Sequence, residues 1–280
     1  MPLLSAFRRG QRPLLLTTLT STPLILALAA CPPAAAGPPA TELVKIPILV
    51  GQSPHSLAAK IYKPEGDGPF PAIILTHGTS RVSAERRKIS ADTQYKNHAA
   101  FLADKGYVVL LVVRRGFGDS AAPYAEHIKT GDGKRDYARE GLEAAKDLQA
   151  AIEFIKTRPY TDPQKIILVG QSTGGHSVLA AASLNIPGVI GAINFAGGRG
   201  SYAPDQVQNE DRLIASMAQF GKTSRLPTLW LYAENDRYFR PELARAMLKA
   251  YTDAGGRAKF ISLPPYSDDG HRSFVGNRKE

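Results

Sequence analysis

Five residues, Gly170-Gln171-Ser172-Thr173-Gly174, constrain this chain more than any other stretch. They follow an apolar run, Lys165 to Val169 (KIILV), and open a stretch of small residues, 174–184 (GGHSVLAAASL), suited to a helix packed closely on a sheet. A G-x-S-x-G pattern alone is weak. Placed between a strand and a helix, it specifies a sharp reversal that raises the serine hydroxyl above the sheet edge, at the positive end of the helix. The reversal strains the serine backbone and crowds the positions two residues to either side, so glycine there is a steric need. A glycine-rich turn with Ser172 as a helix cap is one rival reading. A phosphate loop is another, but the G-x-x-x-x-G-K-S/T and G-x-G-x-x-G spacings are missing. Ser172 is therefore the candidate nucleophile.

The chain around it reads as alternating strand and helix. Residues 42–50 and 56–63 form a hairpin-like pair turning near Gly51-Gln52-Ser53-Pro54. Strands are expected at 71–76, 107–113, 165–169, 189–195, 227–232 and 259–263, several of them apolar enough for a sheet covered on both faces. Helices are expected at 97–105, 137–158, 174–184, 211–220 and 241–254. The second carries Leu142, Ala145, Leu148, Ala151, Ile152 and Ile155 as one apolar stripe and is stopped by Pro159. Asp162-Pro163 is read as a turn. Residues 80–95 and 121–137 are polar and are expected to be loops. This order predicts a mostly parallel α/β sheet with helices on both faces, and leaves no room for a large cap.

Serine needs a base, and the base needs an orienting group. After the strand ending at Tyr232 comes Ala233-Glu234-Asn235-Asp236, on the same sheet edge as Ser172. Asp236 is the candidate acid, with Glu234 the alternative and Asn235 closing the turn. After the last strand comes Asp268-Asp269-Gly270-His271, on a loop from which the imidazole could swing toward Ser172. His271 is the candidate base. The order Ser172, Asp236, His271 is the serine–acid–histidine order of one serine-hydrolase architecture and not of the other two common ones. His176 follows the elbow on its helix and is read as a packing residue. The backbone N–H groups of Thr173 and of Thr79, on the His77-Gly78-Thr79 turn, are the candidate oxyanion donors. His77, Tyr238 and Phe239 are placed in the substrate pocket; the alternatives are an orienting, core or surface role for His77, and packing under the last helix for Tyr238 and Phe239. Arg115 and Asp119 are expected to tie the rim by an ion pair. Arg81, Arg86, Arg87, Lys88, Arg114 and Arg115 form a basic rim, either suited to an acidic substrate or simply solvated.

These motifs resemble the α/β-hydrolase family. The HGTS turn at 77–80, the RGFGDS loop at 115–120, the GQSTGG elbow and the END turn at 234–236 look like its dienelactone-hydrolase and acyl-peptidase-like branch. The resemblance runs from about Val44 to the C-terminus. It implies an eight-stranded central sheet and hydrolysis of an ester, thioester or amide without metal or other cofactor. Dienelactone hydrolases proper use a cysteine nucleophile. Ser172 stands there instead, which argues against dienelactone itself as substrate. The implied reaction is cleavage of a carboxylic ester through an acyl-enzyme. A peptidase or amidase of the same fold, or a non-catalytic binding lipoprotein, are the alternatives. The implied partner is a small ester or short peptide.

The first thirty residues stand apart. Arg8, Arg9 and Arg12 precede a largely apolar stretch from Leu14 to Ala30, and no acid occurs before Glu42. This is the pattern of a secretory signal peptide. Leu28-Ala29-Ala30-Cys31 resembles the bacterial lipoprotein box, with Cys31 as lipidation site; cleavage near Ala34-Ala35-Ala36 is the alternative. The expected organisation is a signal peptide over 1–30, a Pro/Ala-rich tether over 31–41 and a catalytic domain over 42–280. The expected location is the periplasm or a lipid anchor at the bacterial envelope, or secretion. With one cysteine, no internal disulfide can form. The formal charge of +10 falls to +7 once the three arginines before residue 31 are removed. The basic residues are scattered without a nucleic-acid module pattern, so no nucleic-acid partner is expected. Oligomeric state is not readable from this pattern.

Overall fold

The computed structural model describes residues 38–120 and 122–275. The signal peptide, Cys31 and most of the tether lie outside the described residues.

The chain opens with an antiparallel pair, β1 (Ala40–Val50) and β2 (Ser53–Lys63). Then come β3 (Phe70–Thr76), α1 (Lys96–Asp104), β4 (Val108–Val112), α2 (Tyr137–Lys156), β5 (Thr161–Gln171) and α3 (Thr173–Ala182). They are followed by β6 (Val189–Phe195), a small hairpin of β7 (Ser201–Ala203) and β8 (Gln206–Val207), and α4 (Glu210–Thr223). The chain closes with β9 (Pro227–Ala233), α5 (Pro241–Asp253) and β10 (Arg257–Leu263). Eight strands form one sheet in the order β1-β2-β4-β3-β5-β6-β9-β10. β2 pairs antiparallel with β4, and β4, β3, β5, β6, β9 and β10 run parallel. The predicted mostly parallel, eight-stranded α/β sheet is what the chain adopts.

Strand periodicity sorts side chains onto the two faces. Ile74, Leu110 and Leu168 face a core covered by α2, α3, α4 and α5. Ile73, Leu75, Val109 and Leu111 face a smaller core under α1 and Phe274. In α2 the expected stripe is buried, with Leu148, Ile152 and Ile155 fully enclosed, each contributing roughly 1.5–3 kcal/mol. Asp136 caps this helix, its side chain accepting from Arg139 N at 3.1 Å.

Asp162-Pro163 lies inside β5 and is not a separate turn; the strand starts at Thr161, and Phe70 N bonds to Tyr160 O at its margin. The polar stretch 80–95 contains a 3₁₀ turn at Ser83–Lys88 and buries Ala91 and Tyr95. The Arg115–Asp119 pair does not form. Arg115 turns inward to Asp147 on α2 (2.8 Å), while Asp119 offers its carbonyl to Lys45. Arg114 and Arg115 are buried, so neither belongs to a basic rim.

Candidate active site

Ser172 sits between β5 and α3 with φ 57° and ψ −122°, a backbone conformation costly for a residue with a Cβ. The flanking glycines make it attainable. A Cβ on Gly170 would lie 2.2 Å from Gly174 O, and one on Gly174 would lie 2.6 Å from His77 O. Backbone bonds fix the turn on both sides: Ser172 N donates to Phe195 O (2.9 Å), and Gly198 N donates to Ser172 O (3.1 Å).

The three distant side chains converge. Ser172 Oγ lies 3.0 Å from His271 Nε2, and His271 Nδ1 lies 3.1 Å from Asp236 Oδ2. The partners assign the tautomer: Nδ1–H donates to the carboxylate, and Nε2 accepts from the serine hydroxyl. Asp236 is buried, and its other oxygen accepts from Tyr238 N (2.7 Å) and Phe239 N (2.9 Å). Each carboxylate oxygen therefore has one task, one holding the turn and one facing the imidazole. Glu234 instead accepts from Ser262 Oγ at 3.4 Å, at an exposed position.

The loop that carries His271 is fastened to the acid turn. Asn235 Nδ2 donates to Ser267 O (2.9 Å), its Oδ1 accepts from Tyr266 N (2.9 Å), and Gly270 N donates to Asn235 O (3.0 Å). Asp269 accepts from both His271 N and Arg237 N. Gln171 reaches His271 from below, with Nε2 3.3 Å from both Nε2 and the carbonyl. Tyr95 donates to Gln171 Oε1 (3.0 Å) and accepts from Gly78 N (3.2 Å).

Thr173 opens α3, so its N–H is one of the helix-start donors without an acceptor inside the helix. Thr79 lines the cleft beside Ser172. Gly78 lets that loop press on the elbow: a Cβ there would lie 2.4 Å from Gln171 Oε1 and 2.8 Å from Ser172 Cβ.

His77 is not a pocket residue. It is fully buried, packs edge-on against Phe117, donates from Nδ1 to Gly78 O (2.8 Å) and accepts at Nε2 from Arg114 N (3.1 Å). Burial and then the Arg114 charge hold its imidazole at about 3, so it stays neutral. Its place at the carboxyl end of β3 pointed to the cleft, but the turn at Gly78 carries the side chain under the loop. Tyr238 does line the cleft, stacked on His271, and Phe239 lines it at the rear while largely buried.

A buried ionic network underlies the elbow. Arg114 Nε and Arg199 Nη1 bond opposite oxygens of Glu126, at 2.5 and 2.7 Å. Burial alone would push the Glu126 carboxyl up, but the two guanidiniums outweigh it and hold it at about 2. Arg114 also donates to Thr76 Oγ1 (2.8 Å), His77 O (2.5 Å) and Thr173 Oγ1 (3.0 Å). One guanidinium thus ties the loop after β3 to the elbow. Arg199 donates to His176 Nδ1 (2.9 Å), which leaves His176 Nε2–H for Ser216 (3.1 Å). Burial and then Arg199 keep His176 well below its usual range, so it is neutral packing, as expected. Charge was read as surface in this chain, and the pairing of residues 114, 126 and 199 carries no local pattern. The one available signal was Arg114-Arg115 at the carboxyl end of β4, beside the elbow.

Among the described residues no group of histidine, cysteine and acidic side chains is arranged to hold a metal ion. No described helix is long and apolar enough to cross a membrane.

Comparison with known proteins gives a consistent picture. The model of the dienelactone hydrolase family matches residues 57–280. Esterase EstD of Thermotoga maritima is 28% identical over 120 residues, which is 43% of this chain and 26% of that protein. The chain therefore aligns with about a quarter of that relative's length. Among solved structures, the acylaminoacyl peptidase of Pyrococcus horikoshii superposes with a TM-score of 0.60 at 19% identity, covering 86% of this chain and 39% of the peptidase. Acetyl xylan esterase 1 of Thermoanaerobacterium superposes with a TM-score of 0.52 at 18% identity, covering 83% of each chain. At such identities the likeness is one of fold.

Proposed function

The chain belongs to the dienelactone hydrolase family of α/β-hydrolases, and we propose that it is a serine hydrolase of carboxylic esters working through Ser172, His271 and Asp236. One observation carries this reading: an unbroken hydrogen-bonded line from the Ser172 hydroxyl through His271 to Asp236, beginning at a strained strand-to-helix turn.

In the proposed reaction Ser172 Oγ attacks the ester carbonyl as its proton passes to His271 Nε2. Asp236 stabilises the imidazolium without taking the proton. The N–H groups of Thr173 and Thr79 are assigned to the oxyanion. His271 returns the proton to the departing alkoxide, leaving an acyl-enzyme. A water then gives a proton to His271 and attacks the acyl carbon; Ser172 leaves and recovers that proton. The same parts would cleave an amide, so ester preference rests on the family and on the esterase relative.

Fluorophosphonate labelling tests the reading. Ser172 should carry the label, and Ser172→Ala should abolish both labelling and hydrolysis of benzyl esters. Full hydrolysis by Ser172→Ala would refute it.

A further inference from the structure

Two cavities meet at Ser172, with Thr79 and Tyr238 as shared walls. One, of about 220 Å³, runs past Thr173 to Arg199 and Glu126. The other, of about 410 Å³, holds His271, Gln171 and Ile89. In the reaction proposed above, the proton from His271 goes to the leaving group. His271 faces the second cavity only, so the leaving group belongs there and the acyl group extends into the first.

The two differ in charge. The leaving-group side is balanced, with Glu85 and Asp269 against Lys88 and Arg272. The acyl side has Glu126 as its one lining carboxylate, facing Arg81, Arg86, Arg135 and Arg199. Glu126 is already shared by Arg114 and Arg199, and Arg135 is satisfied by Glu140. Arg81 and Arg86 have no carboxylate partner among the described residues. Arg81 donates to Ser201 Oγ and Arg237 O and lies over Tyr238 at 3.6 Å; Arg86 lies over Tyr124 at 4.1 Å. Two guanidiniums stacked on tyrosines could be nothing more than solvated side chains. Here both are half-buried in one wall of the cleft, beside a buried network that is itself positive by one charge. A surplus of one sign in a low-dielectric cleft concentrates the field and attracts the opposite ion, and guanidinium is the side chain best matched to a carboxylate.

From this arrangement we infer that the acyl side takes an anionic acyl group, so that the substrate is an ester of a short dicarboxylic acid. The free carboxylate pairs with Arg81 and Arg86, and the second carboxyl carbon meets Ser172. The volume equals about seven waters at ~30 Å³ each, room for an acyl chain of about four or five carbons. An acyl group with a free ammonium is repelled by the same surplus. This deepens the serine-hydrolase reading and rests on it.

Three esters with one leaving group test the inference: monobenzyl glutarate, benzyl pentanoate and benzyl 5-aminopentanoate. The expected kcat/KM is at least tenfold higher for the glutarate than for the pentanoate, with the aminopentanoate lowest. Added 0.5 M salt should shrink the preference. Arg86→Met and, separately, Arg81→Met should lower the glutarate-to-pentanoate ratio several-fold. Equal or better cleavage of the pentanoate, or a ratio unmoved by either variant, overturns the inference. So does labelling of Ser172 by fluorophosphonate with no turnover of the glutarate. Absence of both labelling and hydrolysis refutes the serine-hydrolase reading itself.

Discussion

The imidazole of His271 lies flat against the ring of Tyr238, with centroids 4.0 Å apart and planes 10° from parallel. Arg81 covers the other face of that ring at 3.6 Å, so cation, phenol ring and imidazole form a three-layer stack. Phe239 meets the imidazole edge-on at 5.5 Å. The imidazole is thus held by two aromatic surfaces as well as by its hydrogen bonds.

Removing the stacked ring should loosen the base without unfolding the domain. An aromatic contact of this kind contributes roughly 0.5–1.5 kcal/mol, so Tyr238→Ala should lower kcat about 2- to 10-fold. Tyr238→Phe should restore it. Steady-state kinetics on one ester for both variants checks this, and equal loss in the two would place the effect in the hydroxyl.

Asp236→Asn separates chemistry from fold. The asparagine Oδ1 can still accept from Tyr238 N and Phe239 N, which keeps the turn. The amide presented to Nδ1 favours the wrong imidazole tautomer, and kcat should fall on the order of 10³- to 10⁴-fold. The melting temperature should stay within about 3 °C, as the turn is preserved. Calorimetry beside kinetics decides it.

Gly78→Ala should damage the site from outside the triad. Its Cβ would lie 2.8 Å from Ser172 Cβ, so the loop bearing Thr79 must retreat. A shift of about 1 Å in a positioning element can cost on the order of 100-fold in rate. Measured on a neutral ester, the loss should fall mainly on kcat. An unchanged kcat would remove that loop from the oxyanion site.

Acid should weaken the fold in two overlapping intervals. His77 is held at about 3 when folded against its ordinary 6.5, so the unfolded chain takes up that proton more readily between those values. The stability it contributes is complete above pH 6.5 and drains away as pH falls to about 3. Glu126 sits at about 2 against 4.5; its contribution is complete above pH 4.5 and is lost as pH falls through about 2. The two amount to on the order of 4–5 and 3 kcal/mol. Urea titrations at pH 7, 5 and 3.5 should show the decline, and His77→Gln should flatten it above pH 4.5, where Glu126 does not yet contribute to the decline. An identical pH slope in that variant would contradict the assignment.

The sheet was legible because apolar runs alternated with an amphipathic helix such as α2, whose stripe from Leu142 to Ile155 is unmistakably helical. The elbow was legible because its spacing answers a steric demand within five residues. That Asp236 and His271 would meet beside Ser172 could be read from where their loops leave the sheet. The ionic network could not: Arg114 and Glu126 stand twelve residues apart on the loop between β4 and α2, Arg199 on the loop after β6, and a charged residue is by default a surface residue. Its members are recognised only when the strand order places β4, β3, β5 and β6 side by side. The β7–β8 hairpin escaped for another reason, since strands of three and two residues carry no periodicity. For His77 the sequence left pocket and core both open, because strand position fixes which end of the sheet a residue occupies, not whether the following turn buries it.

Asn235 has a broader consequence. By bonding both Tyr266 and Ser267 it makes the turn after β9 and the loop after β10 move as a single body. The sequence allowed the imidazole to swing toward Ser172; in the structure it is already held in line between Ser172 and its carboxylate. The stretch between β3 and α1 is braced on the same imidazole from the other bank, through Tyr95 on Gln171 and Arg81 on Tyr238.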